Sequence, residues 1–307
     1  MKAKRFKTKV AGLDHPDLVD FKPSLNMWQR ALRHIRQDRA TVGAILVIVV
    51  LAAICMAAPL IDEVFQVDPI TQDLRNNYAP MFSKGHPFGT DELGRDHLSR
   101  LLYGGQVSLS IAFAAAFLAI GIGIAVGAFA GFYGGLLDDF IMWFVTTWNS
   151  IPSLFLLILI TSLLSPSPLT LVLILGITGW TGTTRLVRGQ TYSIKEREYV
   201  IAARAVGASN LRIMFLHIVP NILSLIIVDL SLTLGALILA ESALSFLGFG
   251  VRAPTATWGN MLNGGLDYAR RAQHLVFIPG FLITMTVFCF FLLGDGLRDA
   301  FDPKIAD

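Results

Sequence analysis

The chain has 307 residues, of which 54% are hydrophobic and only 15% charged, with a formal net charge of +3 and a mean hydropathy of +0.60. Soluble domains carry about 25% charged residues, and here the apolar residues arrive in blocks close to the ~20 residues a helix needs to cross a bilayer, which excludes a soluble globular protein. The two cysteines, Cys55 and Cys289, lie inside apolar blocks and offer neither a disulfide framework nor metal-ligand spacing.

In chain order, residues 1–24 are polar, basic at the front and interrupted by Pro16 and Pro23, which reads as a poorly ordered tail. From Leu25 to Arg39, Trp28, Ala31, Leu32 and Ile35 fall at helical spacing among Arg30, Arg33, Arg36 and Arg39. That pattern predicts a short helix in the inner membrane interface; the alternative is a solvated basic tail attracted to anionic lipid. The first apolar block, Thr41–Ile61, begins too far into the chain for a signal peptide and no small-residue cleavage site follows it, so it is read as a span.

Residues 62–106 are read as an external loop, acidic at Asp62, Glu63, Asp68 and Asp73 and closing on FGTDELGRDHLSRLLYGGQVSL, Phe88 to Leu109. Asp91, Glu92, Arg95 and Asp96 have spacings that allow helical ion pairs past a turn at Gly89. Exposed pairs contribute little stability. Their density is therefore read as a shaped outer gate or a contact with an external partner, against the alternative of a solvated charged cap.

Five more apolar blocks follow: Val107–Gly131, Phe140–Leu164, Leu169–Leu186, Ile222–Leu247 and Leu275–Leu293. In the first of these Gly121, Gly123, Gly127 and Gly131 form small-xxx-small pairs, which serve close packing within a helix bundle or a subunit interface. Gly176 and Gly179 interrupt the Leu169–Leu186 block. Asp229 and Glu241 lie inside the Ile222–Leu247 block, where an ionisable group costs about 2.5–3.5 kcal/mol on insertion scales. Glu241 is read either as a pathway or gate residue or as an acid paired to a neighbouring helix; Asp229 leans towards the structural role. No internal repeat suggests two fused halves.

Charge gives an orientation. With alternating sides, eighteen of the 25 Lys and Arg fall on the side of residues 1–40, the 185–218 segment and the tail after Leu293, against seven on the other. Basic short loops favour the cytoplasm, so both termini and the 185–218 segment are expected to face inward. Within that segment the run Glu198–Asn221, EYVIAARAVGASNLRIMFLHIVPN, reads as a helical docking element. Its Ala202, Ala203, Ala205, Gly207 and Ala208 leave little bulk against a partner, and Pro220 restarts the chain into the next span.

No G-x-x-x-x-G-K-[ST] loop, G-x-S-x-G elbow or H-E-x-x-H motif occurs, and the six histidines are scattered without ligand spacing. Catalysis by this chain is not expected, so any active transport draws on an ion gradient or a partner. A gradient-driven carrier usually shows broken helices in repeated halves and several midplane ionisable groups; this chain has two candidate acids, both in one span. A permease driven by a separate ATPase needs an inward-facing handle, which the docking element supplies. A scaffold or channel without energy input is the third class left open.

The docking element resembles the EAA loop of permease subunits in bacterial ATP-binding-cassette (ABC) importers, whose pattern is EAA, three residues, Gly, nine residues, then I-x-L-P. Ala202, Ala203, Gly207 and Pro220 match it, while Ile201, His217 and Val219 stand in for the Glu, Ile and Leu. FGTDELGRDHLSRLLYGG, GFYGGLLDD (Gly131–Asp139), ILAESALSFLGFG (Ile238–Gly250) and GDGLRDAFDPK (Gly294–Lys304) are similar to the C-type subunit of the oligopeptide/dipeptide/nickel permease group. The likeness covers nearly everything from residue 27 onward. One departure is that Trp143 and Thr146 replace a charged pair common in that group, so a charged pair near the inner end of the third span is expected to be missing.

The resemblance implies an all-α integral membrane protein of the cell membrane, a six-helix bundle of the type I ABC importer permease class with an EAA-type coupling helix over Ala202–Leu216. It implies a tail over 1–40, a first span over 41–61, an external loop over 62–106, a permease core over 107–294 holding the coupling loop 188–220, and a tail over 295–307. It also implies a second, homologous permease as heterodimer partner, two cytoplasmic ATPases that bind the ATP and Mg2+, and an external solute-binding protein. No cofactor, metal or nucleic acid is implied for this chain. Peptides are the implied cargo, with nickel and oligosaccharides as alternatives. ATPase contacts would involve Ala202, Ala203, Arg204, Gly207, Ala208, Arg212 and Pro220, and binding-protein contacts Asp91, Glu92, Arg95, Asp96 and the Val251–Gln273 loop.

Overall fold

The computed structural model describes residues 27–263 and 270–302, and these are helical with no strand. The reading of residues 1–24 as a loose tail, and the stretch after Asp302, lie outside the described residues. Helix α1 (Met27–Gln37) is separated from α2 (Arg39–Met56) by Asp38 alone. Its carboxylate caps α2, accepting from the amides of Ala40 and Thr41 at 3.1 Å each and satisfying donors that the first helical turn leaves unpaired. These bonds, led by one from the Thr41 hydroxyl, hold the Asp38 carboxyl below the usual carboxylate range. The predicted helix over Leu25–Arg39 is thus present. It buries Ala31 and sets Trp28 edge-on against Phe301, centroids 5.3 Å apart, at the end of the last helix.

A short α3 (Ala58–Phe65) leads into an irregular stretch, and then α4 runs without a break from His97 to Tyr133. Its 37 residues span about 56 Å at 1.5 Å per residue, well beyond a hydrocarbon core of about 30 Å. It starts ten residues ahead of the apolar block because Asp96 caps it, accepting from the Ser99 amide at 2.8 Å. Helix α4 is the axis of the molecule. The glycine stripe along it is filled by a neighbour in the same chain: a Cβ at Gly123, Gly127 or Gly131 would lie 2.5 Å from Thr183 Cβ, 2.6 Å from Thr184 O and 2.7 Å from Arg188 O. Of the two roles open to the stripe, it serves packing within the bundle; Gly121 has nothing within 4 Å and stands apart.

The third and fourth apolar blocks do not form straight spans. Helices α5 (Gly135–Asn149) and α6 (Ser153–Leu163) meet at 82°, and α7 (Pro168–Gly179) and α8 (Thr181–Ile194) at 41°. At the sharper break, Pro152 lacks an amide donor and disfavours helical geometry at Ile151, while the Ser150 hydroxyl donates to Thr147 O at 2.6 Å. The gentler bend falls at Trp180, immediately after Gly179, as the glycine interruption foreshadowed.

After α8 come α9 (Glu198–Ala205) and the short α10 (Asn210–Ile213), which runs through a π turn at Met214–Ile218 and a 3-10 turn at Val219–Ile222 into α11 (Leu223–Phe246). A proline ring clashes with the carbonyl four residues back in a regular helix. The widened and then tightened turns around Pro220 remove that clash, and Asn221 Nδ2 donates to the His217 carbonyl at 2.6 Å. The last helix, α12 (His274–Phe301), packs along α11, α2 and α1. Among the described residues four helices are long and apolar enough to cross a membrane, and up to six if each bent pair counts as one span. The chain is a multi-pass membrane protein.

Candidate functional site

The two ends of the bundle carry the candidate residues, and they are built differently. At the end holding Asp91, the four charges expected to pair along a helix sit instead in a turn ahead of α4. Gly89 and Gly94 make that turn possible. They have φ of +75° and +72°, and a Cβ at Gly94 would lie 1.8 Å from Asp73 O. Asp91 is the hub. Its carboxylate accepts from the amides of Leu93 and Arg95 at 2.9 Å each, and pairs with Arg95 Nε at 2.7 Å and Arg100 Nε at 3.2 Å.

Asp96 caps α4 and binds His86 Nδ1 at 2.9 Å, while Ser99 reaches back to Asp62 at 2.9 Å. Burial raises the Asp62 carboxyl above the usual range, with Asp96 and Asp68 adding to the effect and the Ser99 bond opposing it. Asp91, Arg95 and Asp96 are buried; the Glu92 side chain, 3.3 Å from the Arg95 guanidinium, is 35% exposed. The sequence pattern located this network but gave no sign that it folds inward, because burial here depends on residues 73–79 arriving from another part of the loop.

Glu241 belongs to the same half of the molecule and is fully buried. It accepts hydroxyl hydrogen bonds from Ser245 at 2.7 Å and Ser108 at 3.1 Å, and the Ser108 oxygen in turn accepts the Trp258 amide at 3.2 Å. Trp258 Nε1 donates to Leu101 O at 2.9 Å. Glu241 thus joins α4, α11 and the segment around Trp258, with hydroxyls as partners where the sequence suggested either a gate or a paired acid. Asp229, half-buried, accepts from the Thr183 hydroxyl at 2.6 Å and joins α11 to α8.

At the opposite end lies the docking element, and it is not one helix over Ala202–Leu216. It breaks at Gly207, whose φ is +87°. The Ala208 amide donates to Ala203 O at 3.1 Å and the Gly207 amide to Arg204 O at 3.0 Å, the pairing of a Schellman helix stop that glycine makes accessible. Ser209 then opens α10, accepting from the Arg212 amide at 3.4 Å. The break divides the small residues. Ala203 and Ala208 turn inward, against a core of Phe132, Val200, Ile213, Met214 and Ile218. Ala202, Ala205 and Gly207 face outward with Ile201, Leu211, Phe215 and Leu216, and Val206 at the tip is 85% exposed. A Cβ at Gly207 would meet nothing within 4 Å. Arg204 lies over the Phe132 ring, 5.6 Å from its centroid; Arg212 and Pro220 are exposed.

Trp143 and Thr146 stand where the charged pair is absent, and a different ion pair lies nearby. Asp138 takes a two-pronged contact from Arg188 Nε and Nη2, both at 2.5 Å, tying α5 to α8. Asp138 and Arg188 are fifty residues apart, so no local spacing could have paired them. Among the described residues no group of three or more His, Cys, Asp or Glu could hold a metal ion.

The chain is thus a glycine-seamed helical bundle with an exposed, core-anchored element at one end. Residues 123–307 match the family described as binding-protein-dependent transport system inner membrane component, and residues 26–80 match the N-terminal transmembrane domain of oligopeptide transport permease C. The chain belongs to this family of inner membrane transport components, which are non-catalytic permease subunits.

Among its relatives is the oligopeptide transport system permease protein OppC of Escherichia coli (strain K12), 41% identical over 279 residues, covering 91% of this chain and 92% of that protein. OppC of Bacillus subtilis (strain 168) is 38% identical over 284 residues, 92% of each chain. The dipeptide transport system permease protein DppC of the same organism is 38% identical over 285 residues, 92% of this chain and 88% of its own.

Proposed function

We propose that this chain is one of two membrane-spanning halves of an ABC importer that carries peptides. The observation that carries this reading is the exposed apolar tip around Val206, fixed to the bundle by Val200, Ile213, Met214 and Ile218. A protrusion that is apolar outside and anchored inside is suited to transmit force, and the Lys and Arg distribution supports its facing the cytoplasm together with both termini. Counting each bent pair as one span gives six spans. Two cytoplasmic ATPases would hold the ATP and Mg2+, one of them gripping Ile201, Ala202, Val206 and Gly207, with Arg204 and Arg212 at the rim. Closure of the ATPase pair would then move the two permeases between inward-open and outward-open arrangements. At the opposite end an external solute-binding protein would dock on the surface that the Asp91–Arg95–Asp96 network holds in shape, with Glu92 as the charge offered to it. Peptides are taken as cargo because the relatives named for oligopeptide and dipeptide transport cover nearly the whole chain.

Gly207 provides the test. Both Gly207→Ala and Gly207→Trp introduce a Cβ at φ +87°, a strain of about 1–2 kcal/mol, but only Trp adds bulk to the empty space in front of the tip. Reconstituted with its partners, the Ala variant is expected to retain most ATP-driven peptide uptake and the Trp variant to lose it while still inserting and folding. Equal uptake by the two variants would contradict the reading.

A further inference from the structure

The two helix breaks and the middle of α11 border an open-sided cavity of about 480 Å3, lined among others by Trp148, Asn149, Ser153, Thr178, Thr233 and Ala236. Its volume lies in the ~300–1,000 Å3 range of ligand sites. Irregular backbone at membrane depth is tolerated only where it is buried in protein or lines a water-filled space. The stretch Asn149–Ser153 is exposed in this chain, and α6 opens with no side-chain cap for its first amides. At membrane depth, the side of the molecule that carries the 82° break would have to face water or a partner rather than lipid.

The lining is uncharged and mostly apolar, with polar groups at Asn149, Ser153, Thr178 and Thr233. Asn149 accepts from the Thr181 hydroxyl at 2.9 Å through its oxygen and carries amide N–H donors on its other side-chain atom. Thr178 donates to Ile174 O at 2.7 Å and keeps its oxygen as an acceptor; Ser153 and Thr233 add hydroxyls. Both acids of α11 are absent from the wall. Asp229 precedes Thr233 by one turn but is held by Thr183, and Glu241 follows Ala240 but points to Ser108 and Ser245. A wall of this kind bonds to main-chain amides and exerts little electrostatic preference among side chains.

We propose that this cavity is the cargo-contact site of the subunit, holding an extended peptide through neutral hydrogen bonds to its backbone and passing acidic and basic side chains alike. This rests on the peptide-permease reading. The test uses the whole reconstituted complex and two tripeptides, Ala-Glu-Ala and Ala-Lys-Ala. Relative to the unaltered complex, Thr178→Asp is expected to lower the acidic-to-basic uptake ratio about a hundredfold, since unit charges about 12 Å apart at an effective dielectric near 20 shift each peptide about tenfold and in opposite directions, and Thr178→Asn to leave it unchanged. Independently of uptake, Ala236→Cys is expected to react with a membrane-impermeant thiol reagent in the assembled complex, and Phe281→Cys, exposed on α12, to stay unlabelled. An unchanged ratio in a Thr178→Asp complex that still transports, or no labelling of Ala236→Cys at any stage of the cycle, would overturn the proposal. If the unaltered complex carries neither tripeptide while Ala236→Cys is labelled, the peptide reading fails and the aqueous cavity stands.

Discussion

Asp91 and Glu241 show how far a single carboxylate organises the end of the bundle where both lie. Asp91 is 5% exposed and pairs with two guanidinium groups that are themselves buried. Removing one partner of a buried ion pair costs about 3–5 kcal/mol, because the other charge is left uncompensated. Asp91→Ala is therefore expected to lower the yield and the melting temperature of the purified protein markedly, whereas Glu92→Ala leaves both near the unaltered values.

Glu241 holds neutral hydroxyls, so its shape and acceptor oxygen matter more than its charge. Glu241→Gln keeps an acceptor and is expected to melt close to the unaltered protein. Glu241→Leu strands the Ser108 and Ser245 hydroxyls at about 1–3 kcal/mol for each unsatisfied group and is expected to melt well below it. Wild-type melting of the Leu variant would contradict the hydroxyl-staple role; a Gln variant that folds normally but uncouples ATP hydrolysis from uptake would restore the gate.

At the scale of elements, the glycine seam of α4 was legible as close packing, because Gly123, Gly127 and Gly131 recur on one face. Which neighbour fills the seam was not, since Thr183, Thr184 and Arg188 carry no local mark of contact with it. The seam distinguishes two superficially similar changes. Gly127→Leu drives a side chain into Thr184 O, 2.6 Å from the ideal Cβ, at about 1–3 kcal/mol or more for overpacking. Gly121→Leu enters open space. Thermal unfolding in detergent is expected to separate the two, with only Gly127→Leu strongly destabilised.

The broken helices were half legible. Gly176 and Gly179 mark a weak point that the sequence reading caught, whereas Pro152 inside the Phe140–Leu164 block was passed over, and the sharper 82° bend falls beside it. The docking element was drawn too simply, as one helix over Ala202–Leu216 where the chain breaks at Gly207. A glycine followed by Ala-Ser is compatible with a continued helix, and the left-handed stop becomes visible only when Ala203 and Ala208 are seen sharing one core.

For the whole molecule, hydropathy gave the membrane class, and the family follows from residues 123–307. Orientation and assembly rest on the basic-residue asymmetry and on the exposed tip, so they are tested together at one residue. Val206→Cys, placed at the 85% exposed tip, is the most direct probe, with the buried native Cys55 and Cys289 as a quiet background. In inside-out vesicles holding the complete complex, a short thiol crosslinker is expected to join Val206→Cys to an ATPase subunit, and a membrane-impermeant reagent to block it from the cytoplasmic face only. Labelling of Val206→Cys from the external face, or no crosslink to a nucleotide-hydrolysing subunit either with or without ATP, would contradict the account.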